Sequence, residues 1–171
     1  MVKRKLYIIS LDAFGASDLE FAKTLPHFQE ILNRSALVKE VESVYPSLTY
    51  VAHTSIATGM NPNRHGIIHN THRQPDRQSP DWYWYAKEIK KATLFDVAKK
   101  AGYTTCALLW PVTGRSPSID YNLAEIFPNR PWKNQMMVSA FASSAKYALE
   151  MNKKYSSLRN GIAQPELDEF V

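Results

Sequence analysis

Apolar and polar positions alternate between two rhythms along the chain. Leu6 to Leu11 (LYIISL) is a continuous apolar run, which predicts a strand buried on both faces of a parallel sheet. Pro26 to Arg34 predicts a helix, with Thr24 upstream as a cap and Pro26 in the first turn. Phe28, Ile31 and Leu32 would face the sheet. Leu37 to Val44 follows as a second strand, less apolar and nearer an edge. Pro46 ends that run, because its ring removes a backbone donor and biases Tyr45 away from helix. Ser47 or Thr49 then caps a short helix through about Thr58, Gly59 closes it, and Pro62 forbids its continuation. Leu94 to Ala101 predicts a helix with Thr93 as cap, Asp96 in a capping-box position and Gly102 as its stop. Thr104 to Trp110 reads as a buried strand that Pro111 ends. Strand, helix, strand and short helix in this order give an α/β fold class.

The rest of the chain is less periodic. Thr71 to Pro80 reads as a polar surface loop, followed by the aromatic cluster DWYWY at Asp81 to Tyr85. That cluster either walls a substrate site by stacking or packs as a loop over the core. Val112 to Pro131 is rich in proline and polar groups, with Asp120 and Glu125 read as surface acids. Trp132 to Asn152 is mixed helix material whose Met136, Met137, Phe141 and Tyr147 suit a core or lid. Residues 165–171 (PELDEFV) read as the start of a further helix.

Composition narrows the class without naming a reaction. The 171 residues fit one domain with a sizeable core, and 44% hydrophobic with 22% charged residues is ordinary for a soluble protein. Lys and Arg (21) exceed Asp and Glu (16), giving a formal charge of +5, which suits either a phosphorylated substrate or a mildly basic surface. One cysteine, Cys106, excludes an intrachain disulfide and fits a reducing compartment. No apolar run reaches membrane-spanning length, and the N-terminal patch is broken by Asp12 before it resembles a signal peptide. A cytoplasmic location is the expectation. No repeat, Gly-rich phosphate loop, CxxC pair or DNA-binding motif is present.

Candidate chemistry concentrates in Tyr45 to Asn70, YPSLTYVAHTSIATGMNPNRHGIIHN. Taken alone, Thr49 is a helix cap, or a hydroxyl at the positive end of a helix where an anion can approach. Asp12, at the end of the first apolar run, is either a turn residue or a carboxylate where open α/β sheets place ligands. The pattern as a whole resembles the type I phosphodiesterase/nucleotide pyrophosphatase family of the alkaline phosphatase superfamily. The matching positions are Tyr45, Pro46, Ser47, Thr49, Tyr50, Thr58, Gly59, Pro62, His65, Gly66, Ile67 and Asn70. Two departures stand out: Val51-Ala52 before His53 where the family has Pro-Asn, and Ala13 after Asp12 where it has glycine.

The resemblance implies an alkaline-phosphatase-like three-layer sandwich with a mostly parallel central sheet, incomplete at its C-terminal side. It implies that Thr49 is the nucleophile and a ligand of one of two zinc ions, with Asp12 ligating the same ion. It makes Asn70 the amide donor to a non-bridging phosphate oxygen, a role of the oxyanion-hole type. His65 belongs to a structural turn, and the spacing of His65, His69 and His72 is not read as a metal site. The family's remaining ligands lie in Asp-x-x-x-His and Asp-His-Gly segments and a later histidine, and no Asp here precedes His at either spacing. The chain therefore corresponds to an N-terminal portion of a single catalytic domain spanning residues 1–171. Alone it is expected to bind zinc weakly and to turn over little. Three functions remain open: a diesterase or pyrophosphatase acting on a small phosphate ester or nucleotide; a monoester, phosphonate or sulfate ester hydrolase; and a non-catalytic nucleotide-binding fragment. Specific nucleic acid binding and membrane association are not expected.

Overall fold

The computed structural model describes residues 4–131 and 134–155. The helix read at residues 165–171 and the start of the Trp132 segment lie outside the described residues. Backbone contacts divide the chain into two compact units, the first ending at Ser43 and the second beginning at Val44.

The first unit carries helices α1 (Ala16–Ala22) and α2 (Pro26–Asn33). Asp18 accepts the Gly15 N–H at 2.6 Å and so closes the start of α1. Pro26 occupies the first turn of α2, as read from sequence, but its neighbour Leu25, and not Thr24, is the capping position. Ile31, expected to face a sheet, is exposed. The strands expected at Leu6–Leu11 and Leu37–Val44 do not form: no strand is present among the described residues of this unit. Leu6, Tyr7 and Ile9 stand open at 81%, 77% and 82% of their surface. A strand exists only with a ladder partner, and these two extended stretches do not pair with each other.

The second unit holds the core. Helix α3 (Thr49–Thr58) ends at Gly59 in the left-handed conformation, and α4 (Pro62–His65) follows at once. Pro62 opens this second helix instead of merely stopping the first. Helix α5 (Leu94–Lys100) carries the capping box read from sequence: the Thr93 hydroxyl accepts from Asp96 N–H, and Asp96 accepts from Thr93 N–H at 2.7 Å. Strands β1 (Cys106–Leu108) and β2 (Tyr121–Leu123) pair in parallel, with Cys106 opposite Tyr121 and Leu108 opposite Leu123. Helices α6 (Gln135–Ala142) and α7 (Ala145–Tyr155) complete the unit. The serines at their junction cover the outer edge of β2: Ser144 Oγ accepts from Asn122 N–H and Ser143 Oγ from Ala124 N–H, each at 3.0 Å. Those bonds satisfy donors that an open strand edge would leave exposed.

The described residues thus form an α/β arrangement with a small parallel sheet, and the expected three-layer sandwich is not developed among them. Two further expectations change. Asp120 is not a free surface acid: it accepts from Thr105 N–H at 3.0 Å and pairs with Lys99, tying the entrance of β2 to β1. Met136, Met137 and Phe141 point outward, and Val138 and Ala142 supply the buried face of α6. No helix among the described residues is long and apolar enough to cross a membrane.

The core joins Tyr50, Ile67, Trp84, Val112, Ala124, Ile126, Val138 and Ala142. Trp82 meets Tyr50 edge-on at 5.2 Å, and Phe127 meets Trp82 and Trp84 edge-on at 5.1 and 5.5 Å. These aromatic contacts decide the two readings of DWYWY in favour of packing, since edge-to-face pairs add to area burial. Gly114 lies against this cluster, exchanging backbone hydrogen bonds with Trp84 and Ala86. A Cβ there would stand 2.7 Å from the Trp84 carbonyl oxygen, which is main chain and has no side-chain freedom to yield. Gly114→Ala is expected to destabilise the protein by about 1–3 kcal/mol, an overpacking cost. Urea denaturation measures it, and an unchanged midpoint would refute the close approach.

Candidate active site at the start of helix α3

Helix α3 begins without a cap of its own. Its N-cap position is Leu48, whose side chain accepts nothing, so Thr49 is the first helical residue and not the cap expected from sequence. The first intrahelical bond runs from Ala52 N–H to Leu48 O at 2.8 Å. The amides of Thr49, Tyr50 and Val51 therefore precede it as donors outside the helix ladder. Asn70 takes one of them: its Oδ1 accepts from Tyr50 N–H at 3.0 Å. That bond places Asn70 beside the turn that carries Thr49. Both residues are part-buried.

Asn70 is itself held from behind. Its backbone carbonyl accepts from Tyr83 N–H at 3.0 Å, and His72 N–H donates to Asp81 O at 2.8 Å, around a bridge between Thr71 and Trp82. Thr71 and Trp82 are paired across this bridge, and both Trp82 and Tyr83 pack against the core. His72 and Tyr83 stack with ring centroids 4.0 Å apart. The polar loop after Asn70 is gathered by Asp81, whose carboxylate accepts from Arg77, Arg130, Asn129 and Gln74. Burial pushes the Asp81 carboxyl up, but the Asn129 and Gln74 donors and the Arg130 and Arg77 guanidinium groups outweigh it and hold it below the usual range.

Two histidines brace α3, neither singled out as a brace by the sequence. His53 donates from Nδ1 to the Thr49 carbonyl at 2.8 Å and packs edge-on against Trp110 at 5.1 Å. The i, i+4 spacing of Thr49 and His53 was the available signal. His65 is fully buried. Its Nδ1 accepts from Ile67 N–H at 3.2 Å, so the ring proton sits on Nε2 and is donated to Ser55 Oγ at 2.9 Å. Burial lowers its pKa, consistent with a neutral ring. The structural turn expected at His65 is this pair of bonds.

Tyr50 contributes no exposed ring: it is fully buried. Burial drives its hydroxyl pKa far above the ordinary range, with the Glu125 carboxylate adding to the effect. A cleft of about 320 Å³ lies elsewhere in this unit, lined by Thr54, Lys87, Phe95, Trp110, Val112 and Arg115 among others, and includes neither Thr49 nor Asn70.

Asp12 belongs to the first unit, in the turn before α1, and Ala13 beside it has φ 56°. That is the left-handed region, where a side chain costs about 1–2 kcal/mol and glycine does not. The glycine that the resemblance places after this aspartate has a backbone reason. Among the described residues no three His, Cys, Asp or Glu side chains converge on one point. The donors assigned by resemblance, a carboxylate and a hydroxyl, are both oxygen ligands of the kind that hold divalent cations.

Comparison with known proteins gives a consistent picture. The family model for type I phosphodiesterase / nucleotide pyrophosphatase matches residues 6–170. Human ectonucleotide pyrophosphatase/phosphodiesterase family member 5 is 32% identical over 117 residues, covering 65% of this chain and 24% of the relative. Venom phosphodiesterase 2 of Crotalus adamanteus is 28% identical over 140 residues, 72% of this chain and 16% of the relative. Bis(5'-adenosyl)-triphosphatase ENPP4 of Bos taurus is 27% identical over 116 residues, 64% of this chain and 25% of the relative. The matches span a quarter or less of these relatives.

The His65 geometry sets a pH dependence. With its folded pKa lowered from 6.5, the unfolded chain takes up the proton first as pH falls. The stability His65 contributes is therefore complete above pH 6.5 and declines as pH drops toward the lowered folded value. His65→Gln is expected to cost about 1–3 kcal/mol through its broken buried bonds and to flatten that slope. Urea midpoints across the range check both, and a slope unchanged by the substitution would contradict the neutral tautomer.

Proposed function

Because the chain belongs to the type I phosphodiesterase/nucleotide pyrophosphatase family, we propose that it supplies the nucleophile half of a metal-dependent phosphodiesterase or pyrophosphatase. The observation that carries the reading is the convergence of Thr49 and Asn70 at one helix terminus through the Tyr50 N–H to Asn70 Oδ1 bond. With its oxygen turned onto Tyr50 N–H, Asn70 keeps its Nδ2 hydrogens for another acceptor. It meets an incoming group as a donor, which suits a phosphoryl oxygen that gains charge in the transition state. Thr49 Oγ1 attacks phosphorus, the bond from phosphorus to the leaving oxygen breaks, and water later releases the phosphoryl group from threonine.

A free threonine hydroxyl is a poor nucleophile near neutral pH. The chemistry expected of bound zinc is stabilisation of its alkoxide. Asp12 and Thr49 would be ligands, and a two-ion site would need further ligands besides these two. Small phosphate diesters and nucleotides with a pyrophosphate linkage are the proposed substrate class, in line with the names of the relatives.

In the full-length protein, Thr49→Ala is expected to lower turnover of an aryl phosphodiester by at least about 10³-fold. Thr49→Ser should retain a measurable fraction. Aryl monophosphate and aryl sulfate tested alongside give slower turnover on this reading. A Thr49→Ala enzyme as active as the parent would remove the nucleophile assignment, and faster monoester or sulfate hydrolysis would replace the diester assignment.

A further inference from the structure

We infer that Asn70 is also the positioning residue for the nucleophile: it is the N-cap of α3, supplied from twenty residues downstream in place of Leu48. The inference rests on the reading of Thr49 as nucleophile only for its consequence in turnover; the cap itself is independent of it.

An N-cap side chain normally sits at the residue before the helix and accepts from the N–H of the second or third helical residue. Here that residue is Leu48, which has no acceptor, and its extended backbone (φ −113°, ψ 149°) is nonetheless the ordinary N-cap conformation. Tyr50 is the second helical residue, and its N–H donates to Asn70 Oδ1 at 3.0 Å. The distance matches a normal N–H to oxygen bond, and the acceptor type is the one caps prefer.

The anchor for this remote cap is rigid. Asn70 O is bonded to Tyr83 N–H, Trp82 beside it is wedged between Tyr50 and Phe127, and His65 ties the intervening segment to Ser55. At the other end His53 holds the Thr49 carbonyl. The turn bearing Thr49 is thus fixed from both sides, and one side is Asn70. A consequence follows for the amide itself. With Oδ1 committed to Tyr50, flipping the side chain would set Nδ2 donors against an N–H donor, so a single orientation persists and Nδ2 stays available for substrate.

The test separates the two ends of the amide in the full-length protein. Asn70→Ala removes both, Asn70→Asp keeps the capping oxygen, and Leu48→Ser installs a local cap. Amide hydrogen exchange at Tyr50 is expected to be roughly five- to tenfold faster in Asn70→Ala, and near the parent rate in Asn70→Asp. Leu48→Ser added to Asn70→Ala should restore the exchange protection and recover part of kcat, with KM little changed. The rest of the kcat loss, on the order of 10²-fold, stays with the missing Nδ2 donor. Parent-like exchange at Tyr50 in Asn70→Ala would overturn the cap. Restored protection with no recovery of kcat would overturn the positioning role. If the parent protein shows no Thr49-dependent turnover, the functional reading fails, and the exchange results still decide whether Asn70 caps the helix.

Discussion

The hydrogen bond from Tyr50 N–H to Asn70 Oδ1 is the constraint on which the second unit is arranged. A helix start exposes amides with no internal partner, and burying them unpaired is costly. Tyr50 is fully buried, so its amide has little water to turn to. The chain answers by bringing residue 70 back to residue 50. Gly59 in the left-handed conformation turns it, Pro62–His65 gives one short helix, and the buried His65 pins the return. Thr49 then occupies the first turn of a helix whose start is defined by a distant residue. Local sequence does not fix that terminus; the closed segment does.

The same logic of over-determination holds the sheet side. Leu109, Val112 and Arg115 all have positive φ, at 49°, 58° and 55°. None is glycine, and each costs about 1–2 kcal/mol to keep there. Neighbours hold them. The buried Asn122 donates from Nδ2 to Thr113 O at 2.7 Å, Thr113 donates to Trp110 O at 2.7 Å, and Arg115 N–H reaches Ala142 O at 2.6 Å. Asn122 sits in β2, so the short parallel pair works less as a sheet than as a clamp on the turn after β1. Gly114, where main chain approaches main chain, is the one residue in that turn that needs the absence of a side chain and not a positive φ.

Legibility in the sequence followed the range of the interaction. Helix ends were readable where the signal is local: Pro26 in the first turn of α2, Gly59 closing α3, and the Thr93–Asp96 box of α5. Strands were readable only in part: the Thr104–Trp110 run does contain β1, whereas Leu6–Leu11 and Leu37–Val44 form none, because a run such as LYIISL specifies apolar faces but not the neighbour that hydrogen-bonds to it. Trp82, Tyr83 and Trp84 all pack in or against the core, yet as a cluster they read equally well as a substrate wall. Asp120 looked like a lone acid because its partners, Thr105 and Lys99, are 15 and 21 residues away. At the site, the motif pointed to Thr49 and Asn70 as individual residues. Their coupling was invisible, since Thr49 looked like a sufficient cap and nothing in the spacing says that a helix will borrow one.

The proposed division of labour within Asn70 bears on how such a site would gain its rate. Electrostatic stabilisation is strongest when donors are already oriented toward the place where charge develops, so that no reorganisation accompanies the reaction. An exposed asparagine would rotate between two nearly equivalent amide orientations, only one of which donates. Spending the oxygen on a buried backbone amide removes that choice. The cost of ordering the side chain is then met during folding by a bond the helix requires in any case. On the proposed roles, nucleophile and donor are also set by one contact, so a shift that misplaces one misplaces the other. Under that proposal an amide suits this position better than a lysine, which would supply more charge: lysine has three donors and no acceptor, and it would leave Tyr50 N–H without a partner and Thr49 on a frayed turn.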